Sequence, residues 1–284
     1  MSKVIIIGSG PAGVSASLYT ARAGIETTII STGYSALKKA EKIENYYGFE
    51  DPVSGSNLEE SGINGAKRLG VNVIEKEVVG LSFEDTLVVK TVDEDLKADG
   101  VIIATGSPRF VPKITGITQF EGKGVSYCAV CDAFFYRGKD VAVLGDGEYA
   151  VHEALELLPV AKSVTILTNG KPAPENVDDN IIVNTQKINS LTGDERLSGV
   201  EFYDGSTLDI EGVFIAFGVA GSADLARKIG AITVGKDIQV DENMATNIPG
   251  LFAAGDCTGG LLQISKAVGE GAKAGTQLVK YLRK

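Results

Sequence analysis

This 284-residue chain lacks a second histidine, a fourth cysteine, a cationic surplus and any long apolar run. Its 27 lysines and arginines face 37 acids, for a formal charge of −10. Nucleic acid and anionic membranes both demand an electropositive face, so neither is an expected partner. Apolar runs such as "VIII" from Val4 and "VIIATG" from Val101 fall far below the ~18 residues that span a bilayer. The start "MSKVIII" has no signal-peptide layout, and the chain reads as cytoplasmic. In that compartment thiols are kept reduced, so three cysteines point to redox or metal chemistry before any structural disulfide. Zinc wants four ligands, and beyond the close pair at Cys128 and Cys131 the chain offers only Cys257 and His152. No metal site is expected.

What is abundant is glycine, 35 residues in a chain that is 44% hydrophobic, which suits an α/β protein with many tight strand-to-helix turns. Three strand–turn–helix signals punctuate it. The first is "KVIIIGSGPAGVSASLYTARAG", the second "KDVAVLGDGEYAVHEALEL", and the third "IPGLFAAGDCTGGLLQISKAVGEGAKAGTQLVKYL". A GxGxxG directly after a strand and opening a helix lets backbone touch a pyrophosphate, with the helix N-terminus adding partial positive charge. The two glycine turns, ~135 residues apart, suggest two related dinucleotide folds. Stretches "ATGSPRFVPKITG" and "ITVGKDIQVDENMATN" look like paired linkers around the middle third. The expectation is therefore a discontinuous first domain, 1–108 plus 237–284, with 109–236 inserted as a second domain. The fold class is α/β with two Rossmann-like dinucleotide-binding domains.

"SYCAVCDAFF" carries Cys128, Cys131 and Asp132. A CxxC pair can close a small disulfide, and a helix starting beneath it lowers thiol pKa values, so thiol–disulfide exchange is the better reading. Asp132 can shuttle the proton that a thiolate leaving group needs, or it can simply solvate the turn. Cys257 reads as a small buried residue, and His152 as packing or surface.

The motifs "IIIGSGPAG", "IENYYGF", "ATGSP", "YCAVCDAFF", "VLGDGEYAVHEALEL" and "PGLFAAGDCTGGLLQISKAVGEGAKAG" come in one order over the whole chain. Together they resemble the low-molecular-weight flavoprotein thioredoxin reductases. That resemblance implies FAD, a redox-active Cys128–Cys131 disulfide, a homodimer, and thioredoxin as electron acceptor. Gly8, Gly10, Pro11, Ala12 and Gly13 would then receive the FAD pyrophosphate, and Asn45 would lie along the flavin side. Ala104, Thr105 and Gly106 would close over the cofactor. Gly255 and Asp256 would meet the ribitol or pyrophosphate, and Gln263 and Ile264 the isoalloxazine edge. Leu262 stands where an arginine is common. The second strand ends in Ser31 and Thr32 where an acid often binds the adenosine ribose, and these two take its place in the cofactor site. The family casts Cys131 as the sulfur nearest the flavin, Cys128 as the nucleophile towards thioredoxin and Asp132 as the acid. A pair stacked on flavin cannot also reach a protein, so the linkers would act as a hinge.

The second glycine turn departs from the family's NADPH users. Asp146 and Glu148 stand where a pyrophosphate would sit, and Tyr149 replaces a small residue, which is expected to crowd a close backbone approach. Thr168, Asn169 and Gly170 occupy the positions of the arginines that neutralise a 2′-phosphate. Residues 109–235 hold 11 basic against 17 acidic side chains. The combination resembles the ferredoxin-dependent flavin thioredoxin reductases, which implies reduced ferredoxin as donor, docking on Lys38, Lys39 and Lys42 or on Arg137 and Lys139. Two other readings stand beside it: an NAD(P)H-dependent thioredoxin reductase with an atypical pocket, and a flavin redox sensor that is not an enzyme.

Overall fold

The computed structural model describes residues 2–33, 35–106 and 112–284. Two compact units divide it, Met1–Pro108 with Gly221–Lys284, and Arg109–Ala220.

The first unit starts with β1 (Lys3–Ile7), α1 (Pro11–Arg22) and β2 (Glu26–Ser31), then α2 (Gly55–Arg68) and β3 (Asn72–Glu75). A small antiparallel sheet follows from β4 (Val78–Phe83), β5 (Leu87–Thr91) and β6 (Asp95–Ala98), and β7 (Gly100–Ile103) returns to the main sheet. Near-unbroken apolar runs such as "KVIII" and "GVII" mark strands covered on both faces, the habit of parallel sheets. Ile6, Ile29 and Ile102 are accordingly shut off from solvent.

The inserted unit repeats this plan. It runs β8 (Val125–Ser126), α3 (Ala129–Asp132), β9 (Asp140–Leu144), α4 (Glu148–Leu157), β10 (Ser163–Leu167) and β11 (Ile181–Asn184). An antiparallel trio, β12 (Ile188–Gly193), β13 (Leu197–Phe202) and β14 (Thr207–Asp209), leads to β15 (Gly212–Ile215). Its parallel sheet has the order β11-β10-β9-β15-β8.

The chain then re-enters the first unit with α5 (Ser222–Lys228), a hairpin of β16 (Thr233–Val234) and β17 (Asp237–Ile238), β18 (Leu251–Ala253) and α6 (Ile264–Leu282). The completed sheet is β18-β7-β1-β2-β3, the same winding as in the insert with β18 in the place of β8. Both units are thus dinucleotide-binding α/β folds. The return falls at Gly221, not at 237 as the composition suggests. Residues 221–236 belong with the host because Lys228 Nζ donates to the Val79 carbonyl at 2.9 Å and α5 lies on β4. The stretch read as a second linker is therefore partly the β16–β17 hairpin, and the first crosses residues 107–111, outside those described.

Helix α1 is built from small residues because α6 lies against its backbone. A Cβ on Gly271 would stand 2.1 Å from the Ala12 carbonyl oxygen, and one on Gly275 2.5 Å from that of Ala16. Among the described residues no helix is long and apolar enough to cross a membrane.

Candidate active site

Two centres emerge, a cradle at the carboxyl edge of the host sheet and a disulfide in the insert. The cradle begins where β1 ends. Gly8 has φ +111°, and a Cβ there would lie 2.3 Å from the Ala104 carbonyl oxygen at the end of β7. Gly13 is equally close, 1.9 Å from the Gly8 carbonyl oxygen by the same measure. A Cβ on Gly10 would meet nothing within 4 Å, so open space stands in front of the N-cap of α1. No side chain caps α1 and no acid sits in its first turn, and Pro11 occupies its start. The start of α6 is likewise uncapped and free of acid, with Gln263 as N-cap and Ile264 as first residue. Two such helix ends facing a sheet's carboxyl edge attract an anion.

The remaining expected cofactor residues gather in the same unit. Asn45 Nδ2 donates to Gln263 Oε1 at 3.0 Å, tying the "IENYYG" loop to the start of α6. The loop at Gly255 and Asp256 is fixed from α6: Glu270 accepts from the Gly255 N–H at 2.9 Å, and Lys266 Nζ donates to the Gly255 carbonyl at 2.9 Å and pairs with Glu270 at 3.0 Å. Lys266 and Glu270 are site-shaping residues that sequence reasoning missed, although their i,i+4 spacing was visible. Ser31 is spent locally, its oxygen accepting from Ser9 Oγ at 2.9 Å and from the Gly33 N–H at 3.2 Å. Thr105 Oγ1 is buried with no hydrogen-bond partner among the described residues. An orphaned hydroxyl, an open glycine cradle and two uncapped helix starts are the features a bound FAD would complete, so the residues present fit that group.

In the insert, Cys128 and Cys131 are joined as a disulfide, with Cα atoms 5.3 Å apart. Cys128 is buried at 4% exposure and caps α3, whereas Cys131 is exposed. Asp132 does more than solvate the turn. Its Oδ2 accepts from Ser126 Oγ at 2.6 Å, and the same Ser126 oxygen accepts from the Cys128 N–H at 3.1 Å. Beneath them Glu153 of α4, 1% exposed, accepts from the Ala129 N–H at 2.9 Å. Ser126 and Glu153 were missed by sequence reading. A serine two residues before the pair is the pattern of a side chain turning back on its own backbone, and could have been read that way.

The second glycine turn keeps its shape and changes its chemistry. A Cβ on Gly145 would lie 2.1 Å from the Ala216 carbonyl oxygen, the counterpart of Gly8 against Ala104. Here Glu148 fills the first turn of α4. A fixed carboxylate there already uses the helix-end potential a phosphate would seek. Tyr149, expected to crowd the pocket, is instead fully buried in the core. After β10, Thr168 is buried and donates to the Lys171 carbonyl at 2.5 Å. Asn169, at φ +53°, accepts from the Ile188 N–H at 2.9 Å. The positions of the missing arginines are thus consumed by the turn itself.

Cys257 is fully buried, and desolvation pushes its thiol pKa up to about 12, so it is inert beside the redox pair. His152 Nε2 lies 3.7 Å from Glu156. The lysines considered for docking are largely engaged: Lys38 donates to the Gly33 carbonyl at 2.8 Å, Lys42 pairs with Glu44 at 2.8 Å, and Lys139 lies 3.9 Å from Glu211.

An uncapped glycine cradle joined to a second dinucleotide fold that carries a CxxC disulfide defines a flavin-linked disulfide oxidoreductase. The chain belongs to the pyridine nucleotide-disulphide oxidoreductase family, which matches residues 2–271 and whose members are FAD flavoproteins. Within it the similar curated proteins include thioredoxin reductases and NADH dehydrogenases. The chain is 35% identical to the thioredoxin reductase of Aquifex aeolicus (strain VF5), covering 98% of this chain and 93% of that one. Among solved structures it is similar to the atypical thioredoxin reductase TRi from Desulfovibrio vulgaris Hildenborough, at 42% identity and TM-score 0.93 over 100% of this chain and 98% of that one. A ferredoxin-flavin thioredoxin reductase from Clostridium acetobutylicum follows at 30% identity and TM-score 0.72, covering 99% and 98%.

Proposed function

We propose that this chain is a thioredoxin reductase that takes its electrons from reduced ferredoxin and not from a pyridine nucleotide. The observation that carries this reading is the turn after β10, where Thr168 and Asn169, standing at the positions of the absent arginines, are tied into the fold by their own side chains. The acid at the start of α4 points the same way, as does the likeness to a ferredoxin-flavin enzyme. A plant-type ferredoxin near roughly −400 mV and a thioredoxin near roughly −270 mV differ by about 130 mV, or about 6 kcal/mol for two electrons.

Gly8, Gly10, Pro11, Ala12 and Gly13 would hold the FAD pyrophosphate, with Asn45, Thr105, Asp256 and the start of α6 at the flavin end. When bound, FAD supplies a centre that takes electrons singly and delivers them in pairs. The chain's own residues do the rest. Reduction of the Cys128–Cys131 bond leaves two thiols, and the Cys128 thiolate attacks the thioredoxin disulfide to form a mixed disulfide. Asp132 gives a proton to the departing thiolate, held for that task by Ser126. Cys131 then closes on Cys128 and releases the reduced partner. Cys128 is buried in the oxidised pair, so this attack requires the turn to be uncovered. Exposed Val130, Phe134 and Phe135 around the pair suit a protein-sized partner. The same reading makes the protein a cytoplasmic homodimer.

The test is anaerobic mixing of the yellow protein with NADPH, NADH or reduced ferredoxin, followed at the flavin band. Ferredoxin is expected to bleach it and, with thioredoxin present, to sustain turnover, while neither nucleotide does. Rapid bleaching by a nucleotide would instead establish the NAD(P)H-dependent alternative. Failure of the reduced protein to reduce any thioredoxin would leave the redox-sensor reading.

A further inference from the structure

Dinucleotide folds place an acid at the tip of the second strand, where it hydrogen-bonds the ribose hydroxyls. In the host unit that tip is Ser31 and Thr32, and the Ser31 oxygen already accepts two hydrogen bonds. We propose that Glu75, at the end of the neighbouring strand β3, supplies the missing carboxylate and binds the adenosine ribose of FAD. This rests on the flavoprotein assignment and assigns to Glu75 a contact that neither motif nor fold family places there.

Three observations converge on Glu75. The parallel register pairs Ser31 with Glu75, so both residues end their strands at the same carboxyl edge that carries Gly8 and Ala104. The side chain then crosses from β3 to the tip of β2. A Cβ built on Gly33 would lie 2.9 Å from Glu75 Oε1 and 3.4 Å from Oε2. Gly33 has φ +73°, a conformation that suits glycine, and its bare Cα leaves room for the carboxylate to stand there. Finally, the structure gives the Glu75 carboxylate no hydrogen bond and no ion pair among the described residues. Its chain neighbour Lys76 is turned to Asp93 at 3.2 Å and Glu94 at 2.7 Å, and the nearby Lys38 is held by the Gly33 carbonyl and lies 3.7 Å from Glu59.

The chemistry matches the placement. A ribose diol offers two O–H donors on adjacent carbons, and a carboxylate offers two acceptors at matching separation, a charge-assisted pairing stronger than hydroxyl to hydroxyl. The same charge repels a 2′-phosphate, so this cradle would select an unphosphorylated adenosine. Because the contact lies at the adenosine end, it bears on FAD and leaves FMN untouched.

The experiment is flavin titration of full-length protein freed of cofactor by chaotropic salt, read by quenching of flavin fluorescence, with FAD and FMN as separate probes. Glu75 is exposed, so Glu75→Ala and the isosteric Glu75→Gln are both compatible with folding. Glu75→Ala is expected to weaken FAD on the order of 10- to 100-fold, Glu75→Gln less, and neither to change FMN. Unchanged FAD affinity in both variants would overturn the proposal. A parallel fall in FMN affinity would also overturn it, by showing that the side chain acts on the fold of the cradle. Wild-type protein that binds neither flavin would bring down the flavoprotein assignment itself, an outcome distinct from the other two.

Discussion

Truncating Ser126 to alanine strips a donor from Asp132 and an acceptor from the Cys128 N–H in one step. A buried group left without its partner costs about 1–3 kcal/mol. We expect Ser126→Ala to slow the reduction of thioredoxin by dithiothreitol-reduced protein about 10-fold, and Asp132→Asn, which removes the acid itself, about 100-fold or more. Ser126→Thr keeps the hydroxyl and should stay near wild type. Single-turnover mixing with oxidised thioredoxin measures all three. Equal rates for Ser126→Ala and wild type would show that Asp132 needs no holding. Cys128, Cys131 and Asp132 could be read directly from the chain because five consecutive residues carry them. Ser126, Glu153 and Glu75 could not be weighed in the same way: each matters only through a neighbour that folding brings close, across a turn, from another helix or along a strand pair.

The two glycine turns offer a matched comparison at the level of elements. Gly10 and Gly147 are the N-caps of α1 and α4, and an added Cβ finds nothing within 4 Å at the first and only the Gly218 carbonyl oxygen at 3.9 Å at the second. Neither alanine variant should therefore harm the fold by itself, beyond about 0.5 kcal/mol. Gly10→Ala fills the space in front of α1 and is expected to cost tenfold or more in FAD retention. Gly147→Ala should leave flavin content, stability and turnover unchanged. Absorbance ratios after gel filtration and thermal melts decide it, and a turnover defect confined to Gly147→Ala would mean that the second turn still holds a ligand. Both turns were legible because an apolar run followed by closely spaced glycines is a local signal. The meaning of Tyr149 was not legible, since a residue beside a glycine turn can face the pocket or the core, and only packing showed that it faces the core.

For the whole molecule, the excess of ten negative charges sets how an electron carrier arrives. Ferredoxins are acidic as a class, and the cations considered for docking are mostly paired with local acids. Repulsion between like-charged bodies is relieved when the Debye length shrinks from about 30 Å at 0.01 M to about 10 Å at 0.1 M salt. The second-order rate with ferredoxin is therefore expected to rise several-fold over that range in stopped-flow measurements; a steep fall would reveal a basic dock. The two related α/β folds were legible as units, but the point of re-entry was not. Helix α5 precedes the stretch whose composition reads as a linker and the β16–β17 hairpin lies inside it, so only their attachment to the host identifies them. One consequence of that architecture concerns synthesis. In the host sheet β7 is bonded to β18, yet about 150 residues separate them in the chain. The insert is contiguous and can fold as soon as it clears the ribosome, while its host waits for the last strand and helix to be translated. Cofactor capture is then a late event in the life of each nascent polypeptide, and a truncated product would emerge with a finished redox turn and no colour.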